Sequence, residues 1–144
     1  MKRQTLNIVV SLSIVIALAL SAFAQIGNKV SAKIPFTFNV NGVTLTEGSY
    51  NIQRLSTPGM MIIQNWENKK AISFRYQQNT TRDNDGKAQL VFHRYGSQYF
   101  LSEIQDGGAT QMLGKSKAER TAARGLTDHL AENIQPEIVT VSVQ

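Results

Sequence analysis

Alternation of apolar and polar residues is the feature that most constrains this chain, and it runs through most of the sequence after Lys33. Successive side chains of a β-strand point to opposite faces of the sheet, so this period of two predicts strands with one buried face. The first such segment has an apolar face formed by Ile34, Phe36, Phe38 and Val40. Asn41-Gly42 follows directly, and because both residue types tolerate positive φ angles, this pair predicts a tight hairpin turn.

Further alternating segments lie at residues 43–45, 50–55, 60–66, 71–79, 88–95, 98–105 and 137–143. Turn-forming residues such as Thr57-Pro58-Gly59 and Gly96-Ser97 separate them, which is typical of antiparallel neighbours. We therefore expect an all-β fold, either an antiparallel sandwich or a small barrel of about seven or eight strands. The aromatic-rich stretch of residues 90–101 should lie at the centre of its sheet.

One short α-helix is expected late in the chain. Ser116 and Glu119 have the spacing of a capping box, in which the serine hydroxyl accepts from the third amide and the glutamate reaches back to the backbone N–H of the serine. Gly125 stands where a helix C-cap would be expected. The sequence thus predicts a helix over residues 117–124, whose few alanines give it a thin apolar stripe and place it on the surface.

Residues 1–24 have the three parts of an export signal. Lys2 and Arg3 precede an apolar run over residues 8–20, and Ser21-Ala22-Phe23-Ala24 supplies the small residues that a signal peptidase recognises. We expect cleavage before Gln25, a single β-rich domain over residues 25–144, and a periplasmic or secreted protein that does not span the membrane after cleavage. An outer-membrane barrel is disfavoured, because polar and charged residues occupy the second face of many strands.

Composition excludes several kinds of chemistry. The chain has no cysteine, so it has neither disulfides, nor thiolate metal ligands, nor a cysteine nucleophile. Removal of Lys2 and Arg3 with the signal lowers the formal net charge from +5 to +3, which is too small an excess to argue for nucleic acid as a partner.

Two motifs resemble ligand loops without meeting their requirements. Gly114-Lys115-Ser116 looks like the end of a phosphate-binding loop, but the spacing from Gly108 is one residue too long, so a turn entering a capped helix is expected instead. Asp83, Asp85 and Gly86 resemble half of a calcium loop, but Lys87 takes the place of the third ligand, and a hairpin turn is expected. We predict no metal site and no cofactor.

His93 and His129 are the histidines of the chain, and neither has a carboxylate close in sequence. A strand histidine is usually a packing or hydrogen-bonding residue. The alternative is a small exported hydrolase in which folding brings His93 to a carboxylate such as Asp106 or Glu103.

A mixture of aromatic rings and guanidinium groups is the other candidate site. Such groups stack on bases or sugars when they share an exposed sheet face, although cross-strand packing alone also explains them. The residues of this type are Arg75, Tyr76, Arg94, Tyr95, Tyr99 and Trp66. We take as candidate ligand contacts His93, Arg94, Tyr95, Tyr99 and Arg75.

Two segments and part of the predicted helix carry a family resemblance. They are residues 34–40 with Gly42, Leu45, Gly48 and Tyr50, residues 90–102 around His93, and residues 115–120. Over residues 34–124 the chain resembles a family of small exported β-rich proteins that are abundant in acidobacterial genomes. The resemblance implies an uncharacterised exported β-protein and brings no catalytic residues with it.

The sequence therefore favours a non-enzymatic exported β-domain that binds a ligand or partner or supports the cell envelope. Its ligand and its partner are unknown at this stage. The last strand, if its edge is exposed, would be able to pair with a strand of another protein.

Overall fold

A computed structural model describes residues 29–79, 86–130 and 135–144, although the side chains of residues 78, 79 and 126–130 are not described. The predicted export signal, Asp83 and Asp85 lie outside this part of the chain, and so does the side chain of His129. The described elements are β1 (Val30–Ile34), β2 (Phe38–Val40), β3 (Val43–Leu45), β4 (Gly48–Arg54), β5 (Met60–Asn65), β6 (Ala71–Arg75), β7 (Gln77–Asn79), β8 (Ala88–Tyr95), β9 (Gln98–Asp106), β10 (Thr110–Met112), α1 (Lys117–Leu130) and β11 (Glu137–Ser142).

The strands form two sheets that pack as a sandwich. Sheet I has the order β1-β4-β5-β6, and sheet II has the order β11-β8-β9-β10-β7 with β2 and β3 attached beside β9. All pairs are antiparallel except β2 with β9, which is parallel. The predicted all-β class is confirmed, and of the two predicted architectures the sandwich is correct and the barrel is wrong.

The strands are more numerous than predicted because the chain changes sheets inside two of the predicted segments. The alternation that begins at Ile34 is divided between β1 in sheet I and β2 in sheet II. Pro35 lies at this division, and it has no N–H group with which to continue a sheet ladder. A second division falls at Tyr76, between β6 in sheet I and β7 in sheet II. Alternation is preserved across both divisions, so the sequence pattern alone does not mark them.

The hydrophobic core lies between the sheets. Phe38 connects them, since its ring contacts Tyr50 of sheet I at 5.2 Å and Phe92 of sheet II at 5.5 Å between centroids, both edge to face. The largest fully buried apolar side chains are Tyr50, Phe38, Phe74, Phe92, Ile34, Ile52, Met61, Ile63, Leu90 and Ile104. Strands β8 and β9 lie inside sheet II, which confirms the predicted central position of residues 90–101.

Two predicted hairpin turns are confirmed by the backbone. Asn41 and Gly42, between β2 and β3, have φ angles of 52° and 87°, as a tight turn with two positive φ residues requires. Gly96, with φ 61°, turns β8 into β9. These turns fix which residues of β8 and β9 lie side by side and therefore which side chains share a face.

Helix α1 lies on the outer face of sheet II, against β8. Its start is as predicted, but its predicted end is wrong, because the helix continues through Gly125 to Leu130. A glycine in a helix interior costs only about 1 kcal/mol relative to alanine, so it does not by itself end a helix. Among the described side chains of α1, the buried one is Glu119 rather than an alanine.

The predicted closing strand is present as β11, which pairs with β8 of its own sheet and forms one edge of sheet II. Ile138 on this strand is exposed. The chain end then approaches sheet I, where the backbone N–H of Gln144 donates to the carbonyl of Ser31. Within the described residues, no helix combines the length and apolar character needed to cross a membrane.

Candidate functional site

A cluster of ionisable side chains forms where α1 covers the end of β8. Strand alternation directs Phe92 into the core and places His93 and Tyr95 on the outer face. Glu119, in the first turn of α1, lies directly over them. Its Oε1 atom is 2.8 Å from Nδ1 of His93, and the hydroxyl of Tyr95 donates to the same oxygen at 3.4 Å.

Burial distinguishes the members of this cluster. Glu119 is only 3% exposed, whereas the side chain of His93 is 20% exposed. Burial and the Glu119 carboxylate raise the pKa of the Tyr95 hydroxyl, and the nearby charge of Lys115 opposes this rise. The tyrosine therefore stays protonated at neutral pH and can donate to the carboxylate.

The structure confirms one half of the predicted capping box and contradicts the other. The hydroxyl of Ser116 accepts a hydrogen bond from the backbone N–H of Glu119 at 3.1 Å, as an N-cap should. The Glu119 carboxylate, however, turns to His93 and Tyr95 instead of reaching back along the helix. Ser116 therefore caps the helix, whereas Glu119 makes a tertiary contact with β8. The spacing of the two residues predicted a capping role for Glu119, and that prediction is wrong.

The carboxylate at His93 is therefore neither of the two that we expected. Asp106 lies opposite Ala88 in the β8–β9 register, five residues from His93, which corresponds to about 16 Å along the strand. It faces the other sheet, where Arg54 of β4 donates to its Oδ2 atom at 2.8 Å. Burial opposes the ionisation of Asp106, but the N–H groups of Ala109 and Gly108, with Gln111 and Arg54, outweigh it and lower the pKa of the carboxyl below its usual 3.8.

Glu103, the second carboxylate that we expected at His93, contacts other residues instead. It lies opposite Val91 in the register, is buried, and accepts a hydrogen bond from the side chain of Gln105 at 3.1 Å. The proposed pairing of His93 with Asp106 or Glu103 is therefore replaced by the pairing with Glu119.

The candidate ligand contacts do not share one face of the sheet. His93 and Tyr95 lie under α1. Arg94 and Tyr99 are cross-strand neighbours on the opposite face, where the guanidinium carbon is 5.4 Å from the tyrosine ring centroid. Phe36 stacks on Tyr99 at 4.0 Å between ring centroids, so this pair packs against the core.

Arg94 has two further partners: its Nε atom donates to the carbonyl of Gly96, and its Nη1 atom donates to Glu137 at 3.1 Å. Trp66 lies in the turn that follows β5 of sheet I, whereas β8 belongs to sheet II. The Nζ atoms of Lys69 and Lys29 lie 4.6 and 5.5 Å from its ring centroid. The aromatic and arginine residues that the sequence placed on one exposed sheet face thus lie on separate surfaces.

Arg75 lies at the end of β6 and lines a cleft of about 730 Å³ at one end of the sandwich. Three other basic residues line the same cleft, Lys115 in the β10–α1 connection and Lys117 and Arg120 in α1. Other lining residues come from the β2–β3 and β4–β5 turns. Sequence reasoning named Arg75 and the Gly114-Lys115-Ser116 segment separately but missed the cleft, because the residues that line it are far apart in the chain.

The Gly114-Lys115-Ser116 segment forms part of the cleft wall. It connects β10, which is antiparallel to β9, to the capped start of α1. This is the capped turn that we predicted, and it lacks the parallel-sheet surroundings of a phosphate-binding loop. In the part of the chain that the structure describes, no three histidine or acidic residues come together as a metal site would require.

Comparison with known proteins does not assign a relationship. No protein-family model matches the chain, and neither a search of curated proteins nor a search of solved structures finds a significant match.

Proposed function

We propose that this chain is an exported, non-enzymatic binding protein that holds its ligand in the cleft at the end of the sandwich. The observation that carries the proposal is the cleft itself. Its volume of about 730 Å³ lies within the range of small-molecule sites. Its walls come from both sheets and from α1, so the folded sandwich positions them before any ligand arrives.

The distribution of ionisable groups supports binding rather than catalysis. Glu119 is the acidic residue among those that line the cleft, and its carboxylate is buried and already bonded to His93 and Tyr95. The remaining charged lining residues are lysines and arginines, whose side chains donate hydrogen bonds and do not accept them. General acid–base chemistry needs a group that can do both near neutral pH.

Export and binding are tested together by native and denaturing mass spectrometry of the protein recovered from the periplasm of a Gram-negative host. We expect a polypeptide mass that begins at Gln25 and a noncovalent adduct that survives gentle ionisation. An unprocessed mass in the membrane fraction would contradict export, and a bare mass from every fraction would count against binding.

A cleft-filling substitution locates the adduct. Gly114 lines the cleft and has open space at its Cβ position, so Gly114→Phe should remove the adduct and leave the fold intact. Ser73→Phe, at an exposed position of β6 outside the cleft, is the matched control and should retain it. An adduct that persists in Gly114→Phe would place the ligand elsewhere.

A hydrolase is the second candidate, and the contact between Glu119 and His93 is the observation that favours it. A carboxylate bonded to Nδ1 fixes the orientation and tautomer of an imidazole, and leaves Nε2 for proton transfer. The test is a panel of ester, glycoside and peptide substrates with the wild-type protein and His93→Gln. Activity that disappears in a folded His93→Gln variant would favour the enzyme, and absence of turnover would favour binding.

A further inference from the structure

The charges around the cleft suggest which class of ligand it accepts. Of the charged residues that line it, four are basic and one is acidic. The acid, Glu119, is buried and bonded to His93 and Tyr95, so the solvent-facing charge of the cleft is positive. Fifteen lysines and arginines are spread over a chain of net charge +5, and four of them meet at this one site.

The basic side chains are available to a ligand. Arg75, Lys115, Lys117 and Arg120 are all exposed, and none forms an ion pair with another residue that the structure describes, although Lys115 lies close enough to Tyr95 to oppose the rise in the pKa of its hydroxyl. By contrast, Arg54 and Arg94 are each paired with a carboxylate of the protein. Guanidinium groups pair bidentately with carboxylate or phosphate, so Arg75 of β6 and Arg120 of α1 can supply strong anion contacts.

The uncharged lining combines polar side chains with apolar ones such as Met60 and Leu113. Asn41 and Gln77 present exposed amide side chains, which both donate to and accept from hydroxyl groups. Tyr76, which is partly buried against the core, adds one aromatic residue to the lining. This combination suits a hydroxyl-rich scaffold that also carries negative charge.

We infer that the cleft binds an acidic saccharide, meaning a sugar that carries carboxylate or phosphate groups. The inference rests on the proposed binding function and specifies its ligand class. The basic residues hold the acidic groups, while the amides and the tyrosine contact the sugar hydroxyls and ring. Because the charges are exposed, the affinity should fall as the salt concentration rises.

Isothermal titration calorimetry of the processed protein tests the ligand class. The probes are digalacturonate, which carries carboxylates, trehalose 6-phosphate, which carries a phosphate, neutral trehalose and inorganic phosphate. We expect at least one acidic disaccharide to bind tenfold or more tightly than trehalose and inorganic phosphate, and the two acidic probes show which anion is preferred. Equal binding of trehalose would overturn the requirement for charge, and equal binding of inorganic phosphate would overturn the requirement for a sugar.

Charge-matched variants locate the binding site. Arg75→Gln/Arg120→Gln removes two cleft charges and should weaken acidic disaccharide binding at least tenfold. Lys87→Gln/Arg124→Gln removes the same charge at exposed positions outside the lining of this cleft and should change the affinity less than twofold. Equal weakening in both variants would overturn the site.

If none of the probes binds, the inference that the ligand is an acidic saccharide is wrong. The proposed binding function is tested separately, by the adduct measurement described above. An adduct that is lost in Gly114→Phe would then identify a ligand of another class. The two proposals therefore fail by different results.

Discussion

The Nδ1 atom of His93, on the central strand β8, lies 2.8 Å from the Oε1 atom of Glu119, in the first turn of α1. Glu119 also accepts from Tyr95, so one buried carboxylate connects the helix to two residues of the strand. Few apolar side chains of α1 are buried among those that the structure describes. This polar contact is therefore a main attachment of the start of the helix to sheet II. The helix start in turn forms one wall of the cleft.

Replacing Glu119 should therefore destabilise the fold. We expect Glu119→Ala to lower the free energy of unfolding by about 1–3 kcal/mol, because His93 and Tyr95 lose a buried hydrogen-bonding partner. Urea denaturation measures the loss, and exposed Arg124→Ala on the same helix is the control. In a double-mutant cycle, His93→Ala and Glu119→Ala should be strongly non-additive. Additive effects would show that the contact carries little energy.

The inter-sheet pair of Arg54 and Asp106 should make stability dependent on acid pH. The pKa of Asp106 is lower in the folded protein than its ordinary value of 3.8, so the folded state favours the charged carboxylate. Its contribution is present above pH 3.8 and is lost as the pH falls through the lowered pKa. We expect Asp106→Asn to cost about 1–3 kcal/mol at neutral pH and progressively less in acid.

Denaturation of wild type and Asp106→Asn across the acidic range checks this dependence. Glu137→Gln removes one partner of the more exposed Arg94–Glu137 pair and serves as the control. Exposed pairs contribute little, so this variant should differ only slightly from wild type at every pH. A pH-independent cost of Asp106→Asn would argue against the lowered pKa.

Tyr95 should titrate abnormally at alkaline pH. Burial and Glu119 raise its pKa above the ordinary value of 10.0, so the folded protein retains the phenolic proton longer than the unfolded chain does. The stability that this group contributes is fully present below pH 10.0 and declines as the pH rises toward the raised pKa. Ultraviolet titration should show a late phenolate transition that is missing in Tyr95→Phe. An unchanged curve in that variant would contradict the assignment.

The fold was predictable where local patterns determine it. Period-two alternation gave the strands, and Asn41-Gly42 and Gly96-Ser97 gave the hairpins, because turn geometry and strand periodicity depend on neighbouring residues. The divisions at Pro35 and Tyr76 were not predictable in the same way. Whether a strand continues in its own sheet or crosses to the other depends on packing between distant segments.

The site was less predictable for a related reason. The sequence marks His93 as a candidate, but its carboxylate partner belongs to a helix that starts more than twenty residues later. The capping-box spacing accounts for a glutamate at position 119, so the sequence gives no reason to expect Glu119 to contact β8. Likewise, Arg75 and Arg120 meet at the cleft only because the end of β6 and the start of α1 lie at the same side of the sandwich.

Gly48, at the start of β4, should be intolerant of any side chain. Its φ angle is 152°, and a Cβ atom there would lie 2.9 Å from Nδ2 of Asn65. Asn65 cannot easily move aside, since it is buried and its Oδ1 atom accepts from the N–H groups of Glu67 and Asn68. Gly42 is a suitable control, because its φ is also positive but its Cβ position is open.

We expect Gly48→Ala to destabilise the protein by about 1–3 kcal/mol more than Gly42→Ala, because overpacking against Asn65 adds to the strain of a side chain at φ 152°. Urea denaturation of both variants measures the difference. Asn65→Ala combined with Gly48→Ala should remove most of this excess, because the obstructing amide is gone, although loss of its two backbone contacts lowers the stability of that background. Equal costs at the two glycines would show that the Asn65 side chain yields, and that backbone conformation alone sets the requirement for glycine.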